Sequence, residues 1–181
     1  MTVDLQPILT DGDIRLRPLQ AGDWRALHAV ASDPLIWAMH PARDRWQEPI
    51  FRTSFDDAMR SGGALAITRT GTGEIIGSSR FDRARAGEDE VEIGWTFLAR
   101  SEWGGPTNFT VKRLMVGHAL RFFERVIFVI GADNLRSRRA VEKIGGRLTE
   151  RMLDVPMAGA MVAHVVYAID GQDFASGPLS R

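Results

Sequence analysis

Apolar and polar residues alternate over Asp13–Leu19, where Arg15 and Arg17 flank Leu16 and follow Ile14. A period of two predicts a strand with one buried face. The period lengthens after Ala21-Gly22-Asp23: Trp24, Leu27, Val30 and Ala31 form one helical stripe, and Asp23 stands where an N-cap belongs. Asp33-Pro34 restarts the chain, and Leu35–His40 predicts a second short helix. Ile50 to Arg60 predicts a third, with Ile50, Phe51, Phe55, Ala58 and Met59 apolar and Ser61-Gly62-Gly63 as its stop. Three strands follow at Ala64–Thr70, Glu74–Phe81 and Val91–Leu98. The turn signals Gly71-Thr72-Gly73 and Ala86–Asp89 make them an antiparallel meander.

Beyond the meander the pattern becomes helical again. Trp103-Gly104-Gly105-Pro106 opens a helix reaching about Phe123, with Val111, Leu114, Met115, Ala119, Phe122 and Phe123 recurring at helical spacing. Val126–Ile130 is continuously apolar and β-rich, which suits a strand covered on both faces. Asn134 begins a further helix that ends at Gly145-Gly146. Arg147–Leu153 and Met161–Ile169 close the pattern as an antiparallel pair around Pro156 and Gly159. The order β-α-α-α-β-β-β-α-β-α-β-β, without repeat or linker, predicts one α/β domain over residues 1–181.

Composition narrows the function classes. The 181 residues carry 23 Lys+Arg and 23 Asp+Glu, so the formal net charge is +0. A general nucleic-acid binder needs a basic excess to neutralise phosphates, and this chain has none. With Cys at 0 there is no thiolate metal site, no disulfide framework and no cysteine nucleophile. His28, His40, His118 and His164 lack metal-ligand spacing. No apolar run approaches the ~18 residues of a membrane span, and Met1-Thr2-Val3-Asp4-Leu5-Gln6-Pro7 lacks a basic, apolar leader. A soluble, cytoplasmic protein without a membrane partner is the expectation. Only Lys112 and Lys143 are lysines, so arginine carries nearly all the positive charge.

Two segments carry chemistry. At Trp103–Asn108, consecutive glycines before a helix let backbone N–H groups approach an anion, aided by the helix dipole. Pro106 withholds one such donor, and no Gly-Lys-Ser/Thr phosphate loop is present. A glycine-rich turn ahead of a helix accounts for this segment equally well. The second segment runs from Ile130 to Gly146, with Asn134 at a strand-to-helix junction and Ser137 in the first turn. Both crossings point to the same end of a sheet, where ligands collect in open α/β folds.

The block Asn134-Leu-Arg-Ser137-Arg-Arg-Ala-Val141-Glu-Lys-Ile-Gly145, after Trp103-Gly104-Gly105, resembles the GNAT acyltransferase superfamily. Ile14-Arg-Leu-Arg-Pro-Leu19 and Glu92-Ile-Gly-Trp95 are similar to the group that acetylates ribosomal-protein N-termini. The resemblance spans about residues 13–170 and implies a mostly antiparallel sheet of six to seven strands, splayed between the fourth and fifth. It implies acetyl-CoA as donor, an amine as acceptor and direct attack in a ternary complex. By position it assigns the pantetheine arm to the backbone of Thr96, Phe97 and Leu98. The pyrophosphate falls to Trp103, Gly104, Gly105, Thr107 and Asn108, and Asn134 supports the sulfur end. Arg138, with Arg136 and Arg139, is placed to meet the 3′-phosphate, although a solvated cationic face explains the cluster too.

The chain departs from the family pattern at Ser101 and Pro106 in the phosphate loop, and at Val141, where many members carry an acidic tyrosine. Ser137 is the candidate replacement acid. Glu92 is the candidate base, expected to share a strand face with Gly94 and Thr96 while Val91, Ile93, Trp95 and Phe97 take the other. Trp37, Met39, His40, Arg43 and Trp46 occupy the segment expected to shape the acceptor site. The rival reading is a CoA-binding sensor or interaction module that has lost catalysis, which Pro106 and Val141 favour. Self-association as a homodimer stays open.

Overall fold

The computed structural model describes residues 3–157 and 159–180; the ends of the expected 1–181 span therefore lie outside the described residues. Eight strands form one sheet: β1 (Leu9–Asp11), β2 (Ile14–Pro18), β3 (Ala64–Arg69), β4 (Ile75–Asp82), β5 (Glu90–Leu98), β6 (Arg125–Gly131), β7 (Arg147–Met157) and β8 (Ala160–Asp170). Their spatial order is β1-β2-β3-β4-β5-β6-β8-β7, and every pairing is antiparallel except β5 with β6. The expected six to seven strands become eight because Leu9–Asp11 folds back on β2 through a two-residue turn at Gly12 and Asp13. Gly12 has φ +55°, a conformation that disfavours other residues there.

Helices cover both faces. On one side lie α1 (Trp24–Ala31), α2 (Pro34–Trp37) and α3 (Glu48–Ser61), which bury Leu27, Trp37, Phe51 and Phe55 against Ala64 and Ala66. On the other lies α4 (Thr107–Ala119), whose Val111, Met115 and Val116 meet Leu16, Leu65, Val91 and Ile93. α5 (Leu135–Lys143) follows β6, and the C-terminal α6 (Gly171–Ser176) is closed by a capping box between Asp170 and Asp173. Each fully buried leucine or isoleucine in these layers contributes about 1.5–3 kcal/mol. Among the described residues no helix is long and apolar enough to cross a membrane.

Several boundaries differ from expectation, each for a local reason. Asp23 does not cap α1; its carboxylate accepts from the Gln20 amide at 2.8 Å and from Arg17 at 2.7 and 2.8 Å, which ties β2 to the turn before the helix. α4 ends at Ala119 rather than Phe123, because residues 120–123 tighten into turns onto His118 and Ala119. The closing hairpin extends to Met157 and Ala160, past Pro156, whose partner is Met161.

Candidate active site

The site begins with a break in the sheet. β5 and β6 pair only at Glu90–Arg125, Val91–Val126 and Glu92–Ile127, although β5 continues to Leu98 and β6 to Gly131. Beyond Glu92 the two strands splay, so the expected opening between the fourth and fifth predicted strands is present. Its cause lies in β5. Facing β4, the register shifts between Ser78 and Arg80, where β5 carries one extra residue, and Trp95 takes φ +52°. A bulge of this kind bends its strand and adds twist. A tryptophan held at positive φ is strained, and such strain gathers at functional positions.

The bulge also overturns the expected alternation. Glu92 and Gly94 do share a face, but Trp95 and Phe97 join them, with Phe97 packed on Trp37 and Phe51 below α1–α3. Thr96 turns to the α4 side, where its hydroxyl accepts from Lys112 Nζ at 2.6 Å and meets Ser79 Oγ at 2.7 Å.

A cavity of about 740 Å³ occupies the splay. Of the residues singled out by sequence, Glu92, Thr96, Asn108, Asn134, Ser137, Val141, Trp37 and His40 line it. Glu92 is fully buried, with Oε1 accepting from Arg85 Nη2 at 2.6 Å and Oε2 from Arg85 Nε at 2.9 Å. Burial pushes its carboxyl up to about 7, and the attraction of Arg85 only partly opposes that shift. Gly94 leaves room for the carboxylate: a Cβ there would stand 2.9 Å from Glu92 Oε1. Asn134, 6% exposed, caps α5 by accepting from the Ser137 amide at 3.2 Å. The Ser137 hydroxyl faces the cavity with no protein partner among the described residues.

The remaining predicted positions lie outside the cavity wall. Phe97 is packed in the second core, and the Leu98 carbonyl accepts from Trp103 Nε1 at 3.2 Å. Trp103, Gly104 and Gly105 are exposed at the start of α4, with Gly104 at φ +75°. Pro106 is the N-cap of α4 and supplies no side-chain cap, so the first-turn amides, starting at Thr107 and Asn108, have no intrahelical partner. The Thr107 hydroxyl is committed to Glu102 at 2.6 Å. Arg138 is committed as well, Nε donating to Tyr167 Oη at 3.0 Å and Nη1 to the Ala132 carbonyl at 2.9 Å. That leaves it to brace β8 rather than to present a free guanidinium to a phosphate. Arg136 stacks over Trp103 at 4.4 Å and donates to the Ile36 carbonyl, while Arg139 is exposed.

Four residues of the site were missed from sequence. Arg85 holds Glu92, as above. Lys112 is buried on the cavity wall with Thr96 as its one hydrogen-bond partner among the described residues, and burial lowers its ammonium to about 7. Its signal was available, since it interrupts the apolar stripe of Val111, Met115 and Ala119. His164 lines the cavity with Nδ1 2.8 Å from the Val162 carbonyl, and burial lowers its pKa. Arg45, lying 5.3 Å over the Trp37 ring, borders the cavity from the α2–α3 connector. In that same connector Trp37 is buried, whereas Met39, Arg43 and Trp46 are exposed. Burial holds His40 near 3, so it is neutral. Among the described residues no three metal-ligating side chains cluster.

A sheet opened at its one parallel pair, with unpaired amides of a helix start and a buried carboxylate beside the opening, is the frame of an acyl-thioester-dependent transferase. The acetyltransferase (GNAT) domain family model matches residues 13–147, and the chain belongs to that family. It is an N-acetyltransferase whose acetyl donor is acetyl-CoA. Among solved structures it is similar to a GCN5-related N-acetyltransferase from Brucella melitensis, with 20% identity, a TM-score of 0.76 and coverage of 94% of this chain and 81% of that one. RimJ from Mycobacterium smegmatis, in complex with CoA-disulfide, is 19% identical with a TM-score of 0.68 over 96% and 90%. A spermidine N-acetyltransferase from Vibrio cholerae, in complex with CoA and spermine, is 11% identical with a TM-score of 0.65 over 91% and 99%. No curated protein sequence matches the chain.

Proposed function

We propose that the chain acts as one catalytic domain that acetylates a primary amine, at a protein N-terminus or on a small molecule, by direct attack with both substrates bound. One observation carries the reading: a buried carboxylate, Glu92, lines the cavity at the point where β5 and β6 part. The cavity suits acetyl-CoA on three grounds. The β5 backbone beyond Glu92 is unpaired on its β6 side, the first-turn amides of α4 are free of intrahelical partners, and Lys112 offers a buried donor. Acetyl-CoA supplies the activated acyl group.

The chain's own residues then manage position and protons. An ammonium must lose a proton before its nitrogen can attack. Glu92 takes that proton; each of its oxygens keeps a lone pair beyond the bond to Arg85. The new C–N bond forms as the C–S bond breaks; the nitrogen gives up its second proton, the departing sulfur takes one through the Ser137 hydroxyl and leaves as the thiol, and Glu92 returns its proton to solvent. Asn134 fixes Ser137 through the α5 cap.

The test is thermal unfolding with acetyl-CoA, followed by thiol release with a panel of amines. Saturation at ~100-fold the dissociation constant stabilises a folded protein by about 2.7 kcal/mol, which a melting curve resolves. A shift together with amine-dependent thiol release is the expected outcome. A shift without turnover would instead identify a binding module, and no shift would remove both readings.

A further inference from the structure

Arg45 is a half-buried cation with no ion-pair partner among the described residues. Its Nε is enclosed and has no hydrogen-bond partner, and no carboxylate among the described residues lies within ion-pair distance of its guanidinium. Burial lowers its pKa, as does the neighbouring Arg80, and the attraction of Asp44 and Asp57 only partly opposes that. Asp57 is already bound to Arg80 at 3.1 Å, and Asp44 is exposed on the adjacent turn. Leaving an enclosed N–H without a hydrogen-bond partner is costly, so folded chains rarely do it.

The position of this charge gives it a use. Arg45 borders the same cavity as Glu92 and Ser137, on the α1–α3 side where Trp37, Ile50 and Ser54 complete the wall. It lies across the sheet from α4, whose N-terminal amides are the natural seat for the phosphates of the donor. Of the cavity's other charges, Glu92 is already paired with Arg85, Lys112 is a further cation, and Asp44, also on the wall, makes no ion pair with Arg45. A polycation entering here would meet repulsion, whereas a planar carboxylate matches the guanidinium fork.

We infer that the acceptor is an amine carrying its own carboxylate, of the amino-acid type, which Arg45 receives while the amine is presented toward Glu92. The inference rests on the acetyltransferase reading above and adds the acceptor's chemical class to it. Arg45 thereby selects the acceptor and takes no part in proton transfer.

The experiment uses pairs of amines that differ only in that charge: L-methionine with L-methioninamide, and L-phenylalanine with L-phenylalaninamide. Binding of each is measured by calorimetry with CoA saturating, and thiol release is measured with acetyl-CoA. The comparison is conservative, because the amide's amine is less basic and more of it is free base. Wild type is expected to bind the acid of at least one pair tenfold or more tightly than its amide. Arg45→Met should erase that preference, Arg45→Lys should retain part of it, and the exposed-site control Arg25→Met should leave it intact. Arg45→Met should also melt no lower than wild type without ligand, since an enclosed N–H without a partner is gone. Equal binding of acid and amide by wild type, or a preference that survives in Arg45→Met, would overturn the inference. Absence of thiol release with every amine would count against the acetyltransferase reading, while the binding comparison still decides the role of Arg45.

Discussion

Replacing Glu92 with Gln is expected to lower kcat/KM for the amine at pH 7 by about a hundredfold or more, within the range supplied by a positioned general base. The amide keeps the size and one acceptor for Arg85, so the melting temperature should move far less than the rate. The pH dependence carries the sharper information. With the Glu92 carboxyl near 7, wild-type activity should rise with pH through that region as the carboxylate forms. Glu92→Gln should lose most at low pH and recover as pH climbs, because the amine then arrives already neutral. Equal activity of the two proteins across pH would remove Glu92 from the mechanism.

Replacing Arg85 with Met should produce the largest loss of stability, and a loss that depends on pH. Breaking a buried ion pair by removing one partner costs about 3–5 kcal/mol, and the 24% exposure of the Arg85 side chain places this case near the lower end. Without Arg85 the folded-state pKa of Glu92 rises further above its unfolded value near 4.3, so the folded state holds a proton that the unfolded state releases. A group raised in this way favours folding below its unfolded pKa, and that contribution disappears as pH climbs through the folded one. Urea unfolding at pH 5.5 should therefore show a small deficit for Arg85→Met, and unfolding at pH 8.5 a large one. Arg85→Met combined with Glu92→Met should regain most of the loss at pH 8.5. A deficit of the same size at both pH values would mean that Arg85 matters through packing alone.

The sequence made most elements legible because each carried a clean period: Ile14 and Leu16 in β2, the α3 stripe of Phe51 and Phe55, and the unbroken Val126–Ile130 of β6. It missed β1, whose three residues are too few to show a period, although Asp11-Gly12 is a hairpin signal. The bulge at Trp95 was invisible for a different reason. Nothing in Ile93-Gly94-Trp95-Thr96 declares an extra residue, since a bulge is defined by the register of the partner strand. That single residue moved Thr96 to the α4 side and opened the splay. Asn134 and Ser137 were legible because helix caps are local, whereas the commitment of Arg138 to Tyr167 joins residues 29 apart in the chain. Arg45 and Lys112 stayed hidden because the enclosure of a cation, partial for Arg45 and complete for Lys112, is a property of the assembled fold, and most arginines and lysines are solvated.

Neutral net charge also takes on a clearer meaning in the folded molecule. About half of the equal numbers of acidic and basic residues are engaged in pairs such as Arg17–Asp23, Arg69–Glu102 and Arg85–Glu92. At the cavity Arg45, Lys112 and Asp44 have no ion pair among the described residues, and backbone amides are free to receive phosphate without any basic excess.

Initial rates measured while acetyl-CoA and an accepted amine are varied together test the central claim most directly. Direct attack with both substrates bound predicts double-reciprocal lines that intersect, and no acetylated protein detectable by intact-mass spectrometry after incubation with acetyl-CoA alone. Parallel lines, with an acetyl group retained on the chain, would contradict it and show that a side chain carries the acyl group between two half-reactions.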